Sequence, residues 1–304
     1  MTKQDYLVRA LAFDGTISAR AVRATEVVSA AQKAHDTWSA SSAALGRCLV
    51  AGLLLGSTQK GEVQLTIKVQ GNGPAGAIIV DANTFGQVKG YIQNPHVSLP
   101  LNEKGKIDVR GAVGTEGSLT VIKDLGLKEP FVGQVPLVSG ELGEDFTYYM
   151  AASEQIPSSI GLSVLVNPDE TIRAAGGFML QVMPGATEET IAALEERLAH
   201  LPLVSTLLDE GETPEQILMR ILGEENVEFV GTEEVAFACD CSKERFAKSL
   251  MSLGEKTLQE MIDEDHGAEA VCHFCNQKYH FTEAELQALK DEAIKMKEKG
   301  EMDE

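Results

Sequence analysis

Hydrophobic positions change their period several times along this chain, and each change marks a part of it. Between residues 25 and 56 the spacing is helical. Thr25-Glu26-Val27-Val28-Ser29-Ala30-Ala31 opens one helix, with an N-cap residue type and a carboxylate in the first turn. A second helix runs through Leu45, Leu49 and Leu53 with so few polar positions that burial on most sides is expected. From Val63 the period falls to two. Val63, Leu65, Ile67 and Val69 alternate with polar residues, and a turn at Gly71-Asn72-Gly73-Pro74 leads into Ala77-Ile78-Ile79-Val80. Further strands are predicted over 86–93, 119–123, 131–138, 159–166 and 172–182, with a helix over 141–155. Strands mostly follow strands, which predicts antiparallel pairing with helices packed on the sheet. The fold class is therefore α+β, with an N-terminal mixed-sheet domain over residues 1–183.

Pro184-Gly185 ends that domain. Residues 184–232 form a helical linker in which Ile191, Leu194, Leu198 and Leu201 share a face and Thr187 supplies an N-terminal signal. A second short helix starts at Thr213-Pro214. From 184 to 230 there are eleven Asp/Glu against two Arg, so the apolar stripes sit on a strongly acidic segment. Helices this short need a docking surface to persist, which makes the linker metastable. Residues 233–304 form a small C-terminal domain. Two helices, over 242–253 and 255–263, precede a short strand at 277–281, and a last helix starts at Thr282-Glu283 and frays into a charged tail.

Composition narrows the function classes. The formal net charge of −20 repels phosphate backbones, so no nucleic-acid partner is expected. The start, Met1-Thr2-Lys3-Gln4-Asp5-Tyr6, lacks the apolar core of a secretory signal, and the apolar run near 43–55 carries Arg47 and is short for a bilayer span. The expectation is a cytoplasmic protein with no membrane partner. Clustered thiols in that compartment are metal-bound or redox-active more often than structural.

Those thiols are Cys239, Cys241, Cys272 and Cys275, in the patterns Cys-x-Cys and Cys-x-x-Cys; the fifth, Cys48, lies in an apolar helix and reads as a small buried hydrophobe. Two close pairs separated by a folded segment can bring four sulfurs to the corners of a tetrahedron, the geometry that zinc prefers. One Zn²⁺ per chain is expected, with an iron–sulfur cluster the other metal reading. Four thiolates leave no ligand position for water, so the site serves structure or redox chemistry and not hydrolysis. His273 and His280 are read as packing or hydrogen-bonding neighbours, and Lys243, Lys278 or backbone donors as counter-charge. Thiolates are also the oxidisable form of cysteine, and within each pair the two residues are near enough in sequence to close on each other. Loss of the metal would take most of the folding free energy of so small a domain with it.

Other motifs carry less. Gly71-Asn72-Gly73-Pro74-Ala75-Gly76 matches G-x-G-x-x-G, but Pro74 and a following strand replace the helix that a dinucleotide site needs, so it reads as a hairpin turn. No Ser/His/Asp or Cys/His arrangement supports catalysis, and the chain is not expected to be an enzyme.

The four-cysteine pattern, together with Gly71–Gly76, Gly90-Tyr91 and the run from Gly176 to Ala186, resembles the bacterial redox-regulated 33 kDa heat-shock chaperonin family over about residues 4–295. The resemblance implies a holdase that is an inactive monomer when reduced and zinc-bound. It implies oxidation under stress to two disulfides, Cys239–Cys241 and Cys272–Cys275, with zinc release. Unfolding of the C-terminal domain and linker, homodimerisation and binding of unfolding client proteins then follow. Two alternatives stand beside it: a constitutive four-cysteine zinc adaptor without switching, and a thiol oxidoreductase using Cys272-x-x-Cys275. The acidic tail after Lys297 is assigned no role.

Overall fold

The computed structural model describes residues 4–298, which divide into two compact units, one running to Ala238 and one from Cys239 onward. The charged tail beyond residue 298, expected to fray, lies outside the described residues. In the first unit the chain runs β1 (Tyr6–Ala12), β2 (Ile17–Arg23), α1 (Thr25–His35), α2 (Ser39–Gly56), β3 (Gln64–Gly71), β4 (Ala77–Asn83) and β5 (Gln87–Ile92). It continues through α3 (Val109–Val113), β6 (Gly117–Asp124), β7 (Phe131–Pro136), α4 (Gly143–Ala152), β8 (Ser158–Val166) and β9 (Ile172–Val182). Three short helices follow, α5 (Glu188–Ala199), α6 (Val204–Glu210) and α7 (Pro214–Leu222), then β10 (Val227–Glu234) and β11 (Ala236–Phe237).

Two sheets organise this unit, one ordered β10-β1-β2-β9-β8 and one ordered β11-β5-β4-β3-β6-β7. Every pairing is antiparallel except β11 with β5, so the α+β reading with a mixed sheet holds. Helix α2 is the centre of the core. All its residues but Ser39 and Arg47 are buried, which explains a sequence with almost no polar face. It is long and apolar enough by composition to cross a membrane, yet it is enclosed by the protein. Arg47 escapes the core by donating to the carbonyl and carboxylate oxygens of Glu141, both within 2.9 Å. Gly46 lets α2 approach its neighbours, since a Cβ there would fall 2.7 Å from Val28 and 2.8 Å from Val164. Cys48 is fully buried in this core, and burial pushes its thiol pKa well above the ordinary value. That leaves it inert.

The outer face of the five-stranded sheet carries a second apolar cluster. Val8, Ala10, Ala12, Ile17, Ala19 and Ala21 present it from β1 and β2. Helix α6 covers its β8–β9 side with Val204, Leu207 and Leu208, and α7 covers its β1–β2 side with Ile217, Leu218, Ile221 and Leu222, all buried. Alanines on the strands admit the bulky helix side chains, so the small residues of one layer match the large residues of the other. The segment expected as an acidic linker therefore docks its leucines inward and turns its carboxylates outward. Thr187 caps α5 by accepting from Thr190 N, and Thr213 and Gln216 form a capping box at α7 with Pro214 in its first turn. Arg173 on β9 pairs with Asp209 at 2.6 Å, and Tyr6 on β1 donates to Glu215 at 2.8 Å. The segment ends in β10, whose residues pair with β1 across position 232.

The second unit holds α8 (Lys243–Met251), α9 (Glu255–Asp263), the hairpin β12 (Gly267–Val271) and β13 (Lys278–Thr282), and α10 (Glu283–Glu298). Among the described residues, its central cluster has Leu258, Phe281 and Leu286 buried, with Phe246, Leu250, Met261 and Tyr279 partly covered around them, and Met251 and Ala293 are buried elsewhere in the unit. A core of that size is too small to hold a unit of this length without a staple.

Candidate metal centre

Each cysteine pair is placed by its local structure. Cys239 opens the second unit, and Cys241 lies just before Ser242, the N-cap of α8, whose hydroxyl accepts from Arg245 N. Cys272 and Cys275 occupy the loop of the β12–β13 hairpin. There Cys272 N donates to Gln277 O at 3.0 Å and Asn276 N donates to Cys272 O at 2.8 Å. Asn276 takes a left-handed conformation at φ 60°, which turns the chain back into β13.

The four sulfurs converge within 4.8 Å of one another. Cys239 and Cys272 Sγ lie 3.7 Å apart, and Cys241 and Cys275 Sγ lie 3.4 Å apart. Tetrahedral thiolates at a Zn–S distance of about 2.3 Å would sit about 3.8 Å apart, so the observed edges fit such a centre. They are far from the roughly 2.05 Å of a disulfide, and all four thiols are free. The four residues that sequence spacing singled out as metal ligands are thus brought together, and they could hold a metal ion. Among the described residues, neither His273 nor His280 joins the cluster. His280 faces Glu269 at 3.5 Å instead.

Sequence reading missed Tyr279. Its hydroxyl lies 3.2 Å from Cys241 Sγ and donates to the Cys241 carbonyl at 3.0 Å. The lysines considered as counter-charge are engaged with carboxylates: Lys243 with Glu285 at 2.5 Å while lying over the Phe281 ring, and Lys278 with Glu269 at 3.1 Å.

The thiols differ in acidity. Burial raises Cys241, but hydrogen bonds from Tyr279 and the neighbouring cysteines outweigh it and leave its pKa below the ordinary thiol value. Burial pushes Cys239 up to about 11 and raises Cys275 as well. The Tyr279 hydroxyl is itself held up, to about 12, chiefly by its hydrogen bond to Cys241. Without a cation the four sulfurs resist ionising together, because like charges this close oppose each other. A divalent cation removes that resistance, and a thiophilic one suits an all-sulfur donor set.

Comparison with known proteins finds likenesses along nearly the whole chain. The model of the family described as Hsp33 protein matches residues 5–282. The 33 kDa chaperonin of Enterococcus faecalis is 66% identical over 96% of this chain and 98% of its own length. That of Bacillus subtilis is 55% identical over 96% of this chain and 100% of its own. Among solved structures, the 33 kDa chaperonin, or heat shock protein 33 homolog, of Thermotoga maritima superposes with a TM-score of 0.90 at 39% identity. That alignment covers 96% of this chain and all of the other.

Proposed function

We propose, from the premise that this chain belongs to the Hsp33 family of chaperonins, that it is a holdase controlled by the oxidation state of Cys239, Cys241, Cys272 and Cys275. The observation that carries the reading is the cluster itself. Four free thiols at metal-ligand spacing lie in a unit whose own apolar core is small.

In the reduced form the four cysteines bind one Zn²⁺, whose charge lets four thiolates share one site. Oxidation consumes the thiolates, and Cys239–Cys241 and Cys272–Cys275 become disulfides. The ligand set is then gone, and the small unit loses what ordered it. The chain runs from β10 through β11 straight into Cys239, so unfolding that starts there and frays the β11–β5 and β10–β1 pairings would remove the anchor at the end of residues 184–232. Helices α6 and α7 then leave the five-stranded sheet and bare two apolar faces, their own and that of β1, β2 and β9. Exposed leucines on an acidic segment capture unfolding clients while charge repulsion keeps the protein soluble. Residues 1–183, 184–232 and 233–304 act in this scheme as core, conditional linker and switch.

Homodimerisation in the oxidised form, a cytoplasmic setting and the absence of nucleic-acid and membrane partners belong to the same reading. The −20 charge argues against phosphate contacts. Gly71–Gly76 joins β3 to β4 as a hairpin turn and opens no helix, so it offers no dinucleotide cradle.

The test is suppression of light scattering from a heat-denatured client. Reduced, zinc-loaded protein is expected to be inactive, and peroxide treatment at elevated temperature to switch suppression on. Cys272→Ser should lose that dependence on oxidant. Unchanged oxidative activation of Cys272→Ser would refute the switch, and activity that never responds to oxidant would favour a constitutive zinc module.

A further inference from the structure

Besides its fellow sulfurs, Cys241 has a polar side-chain neighbour, the Tyr279 hydroxyl, 3.2 Å from its Sγ. The hydroxyl's place does not depend on that contact. Tyr279 pairs with Ala270 across the β12–β13 hairpin, and its ring packs on Phe246 of α8 with centroids 5.2 Å apart. One proton therefore stands between two acceptors, the Cys241 carbonyl oxygen at 3.0 Å and the Cys241 sulfur.

We propose that Tyr279 is a positioning residue that restrains one thiol of the switch: its hydroxyl orients Cys241 and slows attack by the Cys241 sulfur on an oxidant. This rests on the reading that metal-held thiolates are what the oxidant meets. In that state the sulfur carries no proton and can only accept, so the tyrosine proton is drawn to it. A hydrogen bond to a charged acceptor is among the stronger kinds, and it stabilises the electron pair that attack must use.

With hydrogen peroxide, that pair forms an S–O bond while the O–O bond breaks and hydroxide leaves, giving a sulfenic acid. A second thiolate then attacks that sulfur, an S–S bond forms and a second hydroxide leaves. Two thiolates lose one electron each, and the peroxide takes both. The Tyr279 hydrogen bond is strongest at the start, where the sulfur holds its full charge, and weakest at the sulfenic acid. It therefore raises the barrier to the first step, and only at Cys241.

The experiment uses the full-length, reduced, zinc-loaded protein and its Tyr279→Phe variant. Limiting iodoacetamide followed by peptide mapping reports each cysteine, and a chromophoric chelator reports zinc release under hydrogen peroxide. Tyr279→Phe keeps the ring and its packing, so Cys241 is expected to alkylate about fivefold faster while Cys239, Cys272 and Cys275 change little. A variant with 3-fluorotyrosine at 279, a stronger donor, should slow Cys241, and it decides the matter should Tyr279→Phe bind zinc poorly. Unchanged Cys241 reactivity overturns the inference. So does an equal rise at all four thiols, which is the signature of simple loosening. The peroxide arm on the unaltered protein judges the switch reading separately: zinc retained under oxidation refutes that reading, whereas the alkylation pattern still judges Tyr279.

Discussion

Removing the metal from the reduced protein with a chelator is expected to unfold the second unit while β1 to β9 stay folded. The reason is the imbalance between the two units. The first buries α2 on nearly all sides between its sheets, and that core owes nothing to the thiols. The second has Leu258, Phe281 and Leu286 fully buried at its centre, each contributing about 1.5–3 kcal/mol. That cannot offset the backbone entropy of ordering α8 to α10 and a hairpin, which runs to about 1–2 kcal/mol per residue. Structural zinc peptides gain about 10–16 kcal/mol from their metal, enough to decide whether such a unit exists as a fold. Amide hydrogen exchange checks this. Protection across α8, β12, β13 and α10 should collapse on chelation, and β3, β4 and β6 should keep theirs. Equal protection with and without metal would show that the unit holds itself together.

The second large effect concerns the docked helices. Ile221→Asp places a carboxylate at a fully buried position between α7 and the alanine-lined face of β1 and β2. An unpartnered charge there costs several kcal/mol, more than short helices with few other anchors can absorb. Helices α6 and α7 should detach although the four thiols are reduced and metal-loaded. Reduced Ile221→Asp is then expected to be cleaved readily between 187 and 222 and to suppress client aggregation without oxidant. Ile221→Val is the control, costing about 0.5–1.5 kcal/mol and leaving the helices docked. A detached but inactive Ile221→Asp protein would mean that these apolar faces do not capture clients.

How much of this was legible in the sequence depended on side-chain signals. Leu45, Leu49 and Leu53 announced a buried helix, and Val63 to Val69 announced a strand, because large apolar residues recur there at one period. Strands β1 and β2 gave no such signal. Four of the six positions they turn toward the covering helices are Ala10, Ala12, Ala19 and Ala21, beside Val8 and Ile17, and alanine favours helix over strand. They are strands because α7 needs a flat, small-residue surface to pack on, a tertiary demand that local propensity cannot report. Strand β10 was hidden by Glu228, Glu233 and Glu234, which sit at a sheet edge where charge is tolerated. The sparse β12, Gly-Ala-Glu-Ala-Val, was hidden by its small residues.

The candidate site shows the same division. Four cysteines in two close pairs declare themselves by spacing, since metal geometry constrains the sequence directly. Tyr279 does not. A single tyrosine in a short strand has no spacing signature, and its meaning appears only when the hairpin brings it to Cys241. Lys243 and Lys278, marked by proximity in sequence as candidate counter-charges, pair with Glu285 and Glu269.

The most direct measurement is zinc content and free-thiol count on one sample, before and after hydrogen peroxide at elevated temperature. The reduced protein should hold one zinc per chain with all five thiols free. The oxidised protein should hold none, with buried Cys48 alone still free and peptide mapping placing the bonds at Cys239–Cys241 and Cys272–Cys275. Zinc that stays bound while the four thiols survive the treatment would contradict the account.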